Sequence, residues 1–173
     1  MIQIVEAIAS DSAAIEQLLD DRFGPARHAR TAYRLREGVT PLGPLCVVAR
    51  EGDRLVGSAQ CWPLRVRAVD GACAKLVLLG PVAVAASHEG AGIGSALTQA
   101  ALARADAGGF APQLLIGDAG FYGRFGFAAG AGEAWHLPGP VDRARLLLRG
   151  DFEGLPRHGW LEADVPVSGR AAA

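Results

Sequence analysis

Residues 82–95 read V-A-V-A-A-S-H-E-G-A-G-I-G-S, an apolar run that gives way to alternating glycines and then to a helix-forming stretch. Upstream, residues 76–86 are nearly continuously apolar, the pattern of a strand buried on both faces. Downstream, over residues 95–107, Leu97, Ala100, Ala101 and Leu102 recur at helical spacing until Gly108-Gly109 ends the pattern. Gly90, Gly92 and Gly94 therefore sit on a strand-to-helix junction. Glycines there let the backbone come close to a ligand, and the first N–H groups of the helix point outward unpaired. With the helix dipole, that arrangement favours a phosphate or pyrophosphate. The competing reading is a tight turn that needs only glycine's flexibility.

The surrounding residues exclude several phosphate-binding classes. A Walker A loop needs Gly-Lys-Ser/Thr, and Lys75 is the sole lysine. A dinucleotide fingerprint starting at Gly90 needs Gly or Ala at position 95, which is Ser95, and strands that look antiparallel precede the loop. No G-x-S-x-G elbow surrounds Ser58, Ser87, Ser95 or Ser168, so no serine nucleophile stands out.

Working outward, residues 2–7 alternate as a strand does, and Ser10 or Asp11 caps a helix whose apolar face is Ile15, Leu18 and Leu19. Arg27, Arg30 and Arg34 recur at helical spacing and suggest a second short helix. Residues 45–50 and 55–66 form a hairpin around E-G-D-R. Beyond the central helix, residues 113–117 read as a short buried strand and 118–125 as a short helix closed by Gly126. Residues 145–149 suggest a strand with 159–162 as its partner. One α+β domain over residues 1–165, with a loose tail at 166–173, is the economical architecture.

The chain has 173 residues, long enough to bury roughly 70% of its unfolded surface without disulfide or metal. Its 17 basic and 18 acidic residues leave a net charge of −1, which argues against a dedicated binder of nucleic acid or anionic membrane. Cys46, Cys61 and Cys73 form no C-x-x-C pair and the histidines are scattered, so no zinc site is expected and the cysteines read as reduced. The N-terminus lacks a basic segment and no apolar run is long enough to span a bilayer. A cytoplasmic protein is expected.

The order of elements and two motifs resemble the GNAT superfamily of acyl-CoA-dependent N-acetyltransferases. The first motif is V-A-V at 82–84 followed by E-G-A-G-I-G at 89–94, against a family loop of [RQ]-x-x-G-x-[GA]. The second is G-D-A-G-F-Y-G-R-F-G-F at 117–127, with Tyr122 before the Gly-Phe pair, as in a branch of small bacterial members. The resemblance implies a mixed, mostly antiparallel twisted sheet flanked by helices and splayed around an acyl-CoA site. It implies that Glu89, Gly90, Ala91, Gly92, Ile93 and Gly94, with Ser95 opening the helix, hold the CoA pyrophosphate through backbone amides. Main-chain groups of Val82, Ala83 and Val84 would pair with the pantetheine arm like an added strand, one amide polarising the acetyl carbonyl. Asp118, Phe121 and Arg124 would flank the cofactor, and Tyr122 would protonate the departing thiolate. The competing reading of Tyr122 is an amphipathic core residue.

Two departures stand out. Glu89 replaces the usual Arg or Gln, bringing an anion towards a pyrophosphate unless its side chain turns away. Residues 75–81 carry no carboxylate where many members place the base, leaving a water chain, Asp118 or His88. For the acceptor wall the resemblance points to Tyr33, Arg34, Trp62, Arg65, Trp135 and His136, with solvated or rim-packing roles as the alternative. The implied activity is acetyl transfer from acetyl-CoA to a primary amine of a small molecule or peptide, in a ternary complex, by a monomer or homodimer without metal. A non-catalytic acyl-CoA-binding or protein-interaction module and a nucleotide-binding protein are the rivals.

Overall fold

A computed structural model describes residues 1–110 and 112–166. The tail expected at 166–173 lies, from residue 167 onward, outside the described residues. The chain opens with β1 (Ile2–Glu6) and α1 (Ser12–Phe23), then a 3-10 turn over Pro25–Ala29 and the one-turn α2 (Thr31–Arg34). The single short helix suggested by the spacing of Arg27, Arg30 and Arg34 does not form as one element. Pro25 sets a 3-10 turn and Arg30 is extended, so Arg27 turns into the protein instead of sharing a solvated face.

The hairpin of β2 (Val47–Glu51) and β3 (Arg54–Arg67) is followed by β4 (Cys73–Val84), α3 (Ile93–Ala107) and β5 (Gln113–Ile116). The C-terminal part supplies α4 (Ala119–Tyr122), β6 (Trp135–His136), β7 (Leu146–Arg149) and β8 (Gly159–Ala163). The sheet runs β1-β2-β3-β4-β5-β7, antiparallel except where β4 meets β5. β3 is 14 residues long, and one edge pairs with the whole of β4 over residues 57–67. Its other edge is shared by β2 at the start and β8 at the finish. The strands at 145–149 and 159–162 thus do not pair with each other. β7 completes the sheet beyond β5, while β8 reaches back to β3 and runs parallel to β6.

The near-continuous apolar sequence of β4 has its reason in this arrangement, because helices cover both faces of the sheet. On one face, α3 lays Leu97, Ala101, Leu102 and Ala105 on Val47, Ala59, Cys61, Val77 and Leu115. Each fully buried leucine there contributes about 1.5–3 kcal/mol. Gly57 lets the helix come close, since a Cβ at that position would stand 2.9 Å from Leu97 Cδ1. On the other face, Ile15, Leu18 and Leu19 of α1 pack on Val48 and Ala83. A further cluster around Leu64, Leu76, Leu114, Leu148 and Trp135 fills the far end. Cys46 and Cys61 are buried and free, and Cys73 is exposed at the start of its strand.

Candidate active site

Parallel pairing of β4 with β5 involves only Val77 with Gln113 and Leu78 with Leu114, and beyond Leu78 the strands diverge. Pairing of β4 with β3 continues to Val84. Among the described residues, the β5-facing edge of β4 over residues 79–84 therefore has no strand partner. The divergence opens a cavity of about 680 Å³. Its walls are β4 from Leu78 to Val82, β5 and α4 from Leu115 to Tyr122, the α2 region, and residues 140–145. A wedge between splayed strands, apolar along β4 and β5 and carrying Arg30, Arg36, Asp118, Asp142 and Arg145 elsewhere on its lining, suits a small organic ligand that presents an extended arm and polar groups.

At the far end of β4 the chain turns through the glycine loop into α3. Gly92 caps the helix at φ 75° and Gly90 lies at φ 77°, both in the left-handed region that favours glycine. Among the described residues, none of the main-chain N–H groups of residues 90–95 donates to a protein acceptor. The first intrahelical bond there is from Ala96 N to Gly92 O at 3.0 Å. A row of free donors at the start of a 15-residue helix is an anion cradle. The carboxylate of Glu89, beside this cradle in sequence, is paired with Arg22 on α1.

Tyr122 lines the cavity at the end of α4. Its ring sits edge-on to Phe121 at 4.8 Å and to Phe127 at 6.1 Å. Among the described residues its hydroxyl has no hydrogen-bond partner, so it is free to meet a ligand. Burial raises the phenol above its ordinary range, with Arg145 pulling weakly the other way, and the group stays protonated at neutral pH. Asp118 caps α4, its Oδ2 accepting from Phe121 N at 3.0 Å. Room for the ring comes from Gly117, where a Cβ would lie 2.6 Å from Tyr122 Cε2 and 2.9 Å from Leu115 Cδ1. Gly117→Ala is accordingly expected to cost roughly 1–3 kcal/mol of stability. In a Tyr122→Ala background the part of that cost owed to the ring should vanish while the Leu115 contact remains, which a double-mutant cycle of urea melts checks.

The remaining residues singled out from sequence divide into those on the cavity and those away from it. Tyr33, Val82, Asp118 and Phe121 line it with Tyr122. The side chain of Ala83 packs in the α1 core, leaving only its main chain for a ligand. Arg124 lies over the Phe121 ring at 4.6 Å. Trp62 stands beside Arg36, which does line the cavity, at 4.7 Å. Arg65 lies elsewhere, paired with Glu162 at 2.8 Å and close to Asp164. Arg34 donates to Pro138 O and the Trp135 indole to Pro156 O, while His136 stacks on Trp160. His88 faces Glu51 at 3.2 Å, away from the cavity wall.

Sequence reasoning missed Arg36, Asp142 and Arg145. Asp142 and Arg145 reach the cavity only because β7 pairs beside β5 and carries the preceding turn with it. Among the described residues there is no group of three or more His, Cys, Asp or Glu placed to hold a metal. No helix among them is long and apolar enough to cross a membrane.

The family model described as an acetyltransferase (GNAT) domain matches residues 4–130. A search of curated proteins finds no match. Among solved structures, the chain is similar to a GNAT family N-acetyltransferase (YhbS) from Escherichia coli in complex with CoA. That likeness has 25% identity and a TM-score of 0.73, over 94% of this chain and 89% of that one. A GNAT family acetyltransferase from Brucella melitensis in complex with acetyl-CoA shares the fold, at 24% identity and a TM-score of 0.59, over 87% of this chain and 96% of that one.

Proposed function

Because the chain belongs to the GNAT acetyltransferase family, we propose that it transfers an acetyl group from acetyl-CoA to a primary amine, by direct attack in a ternary complex. The observation that carries this reading is the continuity of three features: free N–H groups at residues 90–95, the unpartnered edge of β4, and a cavity holding the Tyr122 hydroxyl.

The pyrophosphate takes the N–H groups at 90–95, and the pantetheine arm extends β4 alongside Val82, Ala83 and Val84. This brings the thioester into the cavity. The amine lone pair attacks the carbonyl carbon, and a β4 main-chain N–H donates to the oxyanion that forms. Collapse breaks the C–S bond, and the Tyr122 hydroxyl gives its proton to the leaving thiolate. The proton lost by nitrogen returns through water to the Tyr122 phenolate, so the products are an amide and CoA thiol and the enzyme is restored. Asp118 and Asp142 are the carboxylates on the wall, each with one oxygen committed to a backbone N–H. Their other oxygens draw in the ammonium form and relay its proton through water.

The Arg22–Glu89 pair bears on the donor site. Arg22→Ala frees a carboxylate beside the anion cradle and is expected to raise the acetyl-CoA KM about three- to tenfold, less at high salt. Adding Glu89→Gln should restore it, which KM values at two ionic strengths check.

Direct attack is tested by varying both substrates. Intersecting double-reciprocal lines and an unmodified protein mass after incubation with acetyl-CoA alone are expected. Parallel lines with a stably acetylated protein would overturn it.

A further inference from the structure

Arg36 differs from the other buried or half-buried arginines of this protein. Only 9% of it is exposed, and its guanidinium lies 3.6 Å from the centre of the Tyr33 ring and 4.7 Å from that of Trp62. Among the described residues no carboxylate comes within ion-pairing distance, and its polar neighbours are neutral: Gln60 Oε1 at a long 3.5 Å and the Tyr33 side chain. Arg27, also buried against Tyr33, has both Glu16 and Asp20. Arg50 has Asp11, and Arg149 has Asp106. The Trp62 indole N–H in the same cluster is also buried without a partner.

A buried cation without a counter-ion is costly, and a guanidinium offers five N–H donors in a planar fork. Burial pulls this guanidinium below its ordinary pKa, the direction expected of a charge that lacks a partner anion. The group is nevertheless held still by two aromatic faces, and the Tyr33 hydroxyl is itself fixed by Arg27 at 2.8 Å. It lines the same cavity as Tyr122. Rigid, desolvated and unpaired donors facing a ligand cavity match a planar anion that arrives with the ligand.

Resting on the acetyl-transfer reading above, we infer that Arg36 binds the carboxylate of a small amine acceptor, so that the substrate class is amino acids or similar amino-carboxylates. The cavity also carries Asp118 and Asp142, so both charges of a zwitterion have counterparts. A volume of about 680 Å³ shared with the end of the pantetheine arm limits the acceptor to small-molecule size.

The test titrates CoA-saturated protein, by calorimetry, with the twenty N-acetyl amino acids and with their carboxamides. At least one free carboxylate should bind tenfold or more tighter than its amide, the scale of a charge-assisted hydrogen-bonded pair. Arg36→Met should abolish that advantage and Arg36→Lys should retain part of it, with CoA affinity unchanged. Should the Met variant not fold, as read from its melting curve, Arg36→Lys carries the comparison alone through the lost fork geometry. No carboxylate advantage anywhere in the panel, or one that survives at position 36, overturns the inference. A carboxylate advantage without thiol release from acetyl-CoA keeps the recognition and removes acetyl transfer. Equal turnover of amines with and without a carboxylate does the reverse.

Discussion

Replacing Tyr122 with Phe is expected to lower kcat by about a hundredfold, within the usual range for loss of a positioned general acid. Acetyl-CoA affinity and thermal stability should hardly move. The ring is held by Phe121 and Phe127, contacts that phenylalanine keeps. Among the described residues the hydroxyl makes no protein hydrogen bond, so its removal leaves no orphaned partner. What disappears is one proton donor in the cavity, and burial ensures that this donor carries its proton at neutral pH. Steady-state kinetics with acetyl-CoA titrated separately by calorimetry distinguishes the effects. Unchanged kcat would remove the general-acid role and leave Tyr122 as wall packing.

Ser95→Asp should act on the donor site with opposite signs on binding and folding. A carboxylate in the first turn of α3 faces the free N–H groups and the positive end of the helix dipole. It should therefore leave stability unchanged or raise it by about 0.3–1 kcal/mol. The same carboxylate opposes the pyrophosphate. At about 5 Å and an effective dielectric near 20, one pair of like charges costs roughly 3 kcal/mol, or about a hundredfold in affinity. An unchanged or higher melting temperature together with a collapse in acetyl-CoA affinity is the expected signature. A variant that loses both would point to misfolding, and one that keeps its affinity would move the anion site away from this loop.

Around the glycine loop, the elements written in local sequence are those found in the structure. The apolar run at 76–86, the glycines at 90–94 and the amphipathic stretch after them require only neighbours along the chain. They fold as β4, the loop and α3, with the helix beginning two residues early at Ile93. Asp118 and Tyr122 were singled out through the resemblance of residues 117–127 to a family motif, and the folded chain puts both on the cavity wall. Partner choice was not legible. β7 and β8 each read as a short strand, and whether they meet each other or separate strands is decided by contacts remote in the chain. The arginines show the same limit. Arg27, Arg36 and Arg65 are chemically identical, and only the folded chain gives the first Glu16 and Asp20, the last Glu162, and the middle one no carboxylate among the described residues. Glu89 looked hostile to a phosphate ligand until α1 brought Arg22 to it.

Acetyl transfer itself is tested most directly by mixing the protein with acetyl-CoA and a panel of primary amines weighted towards amino acids, then following free CoA thiol and the mass of each amine. The predicted result is amine-dependent thiol release, matched mole for mole by one N-acetylated product, and reduced about a hundredfold by Tyr122→Phe. Tight acetyl-CoA binding with no amine-dependent release across the panel would contradict it and leave a binding module with the same fold.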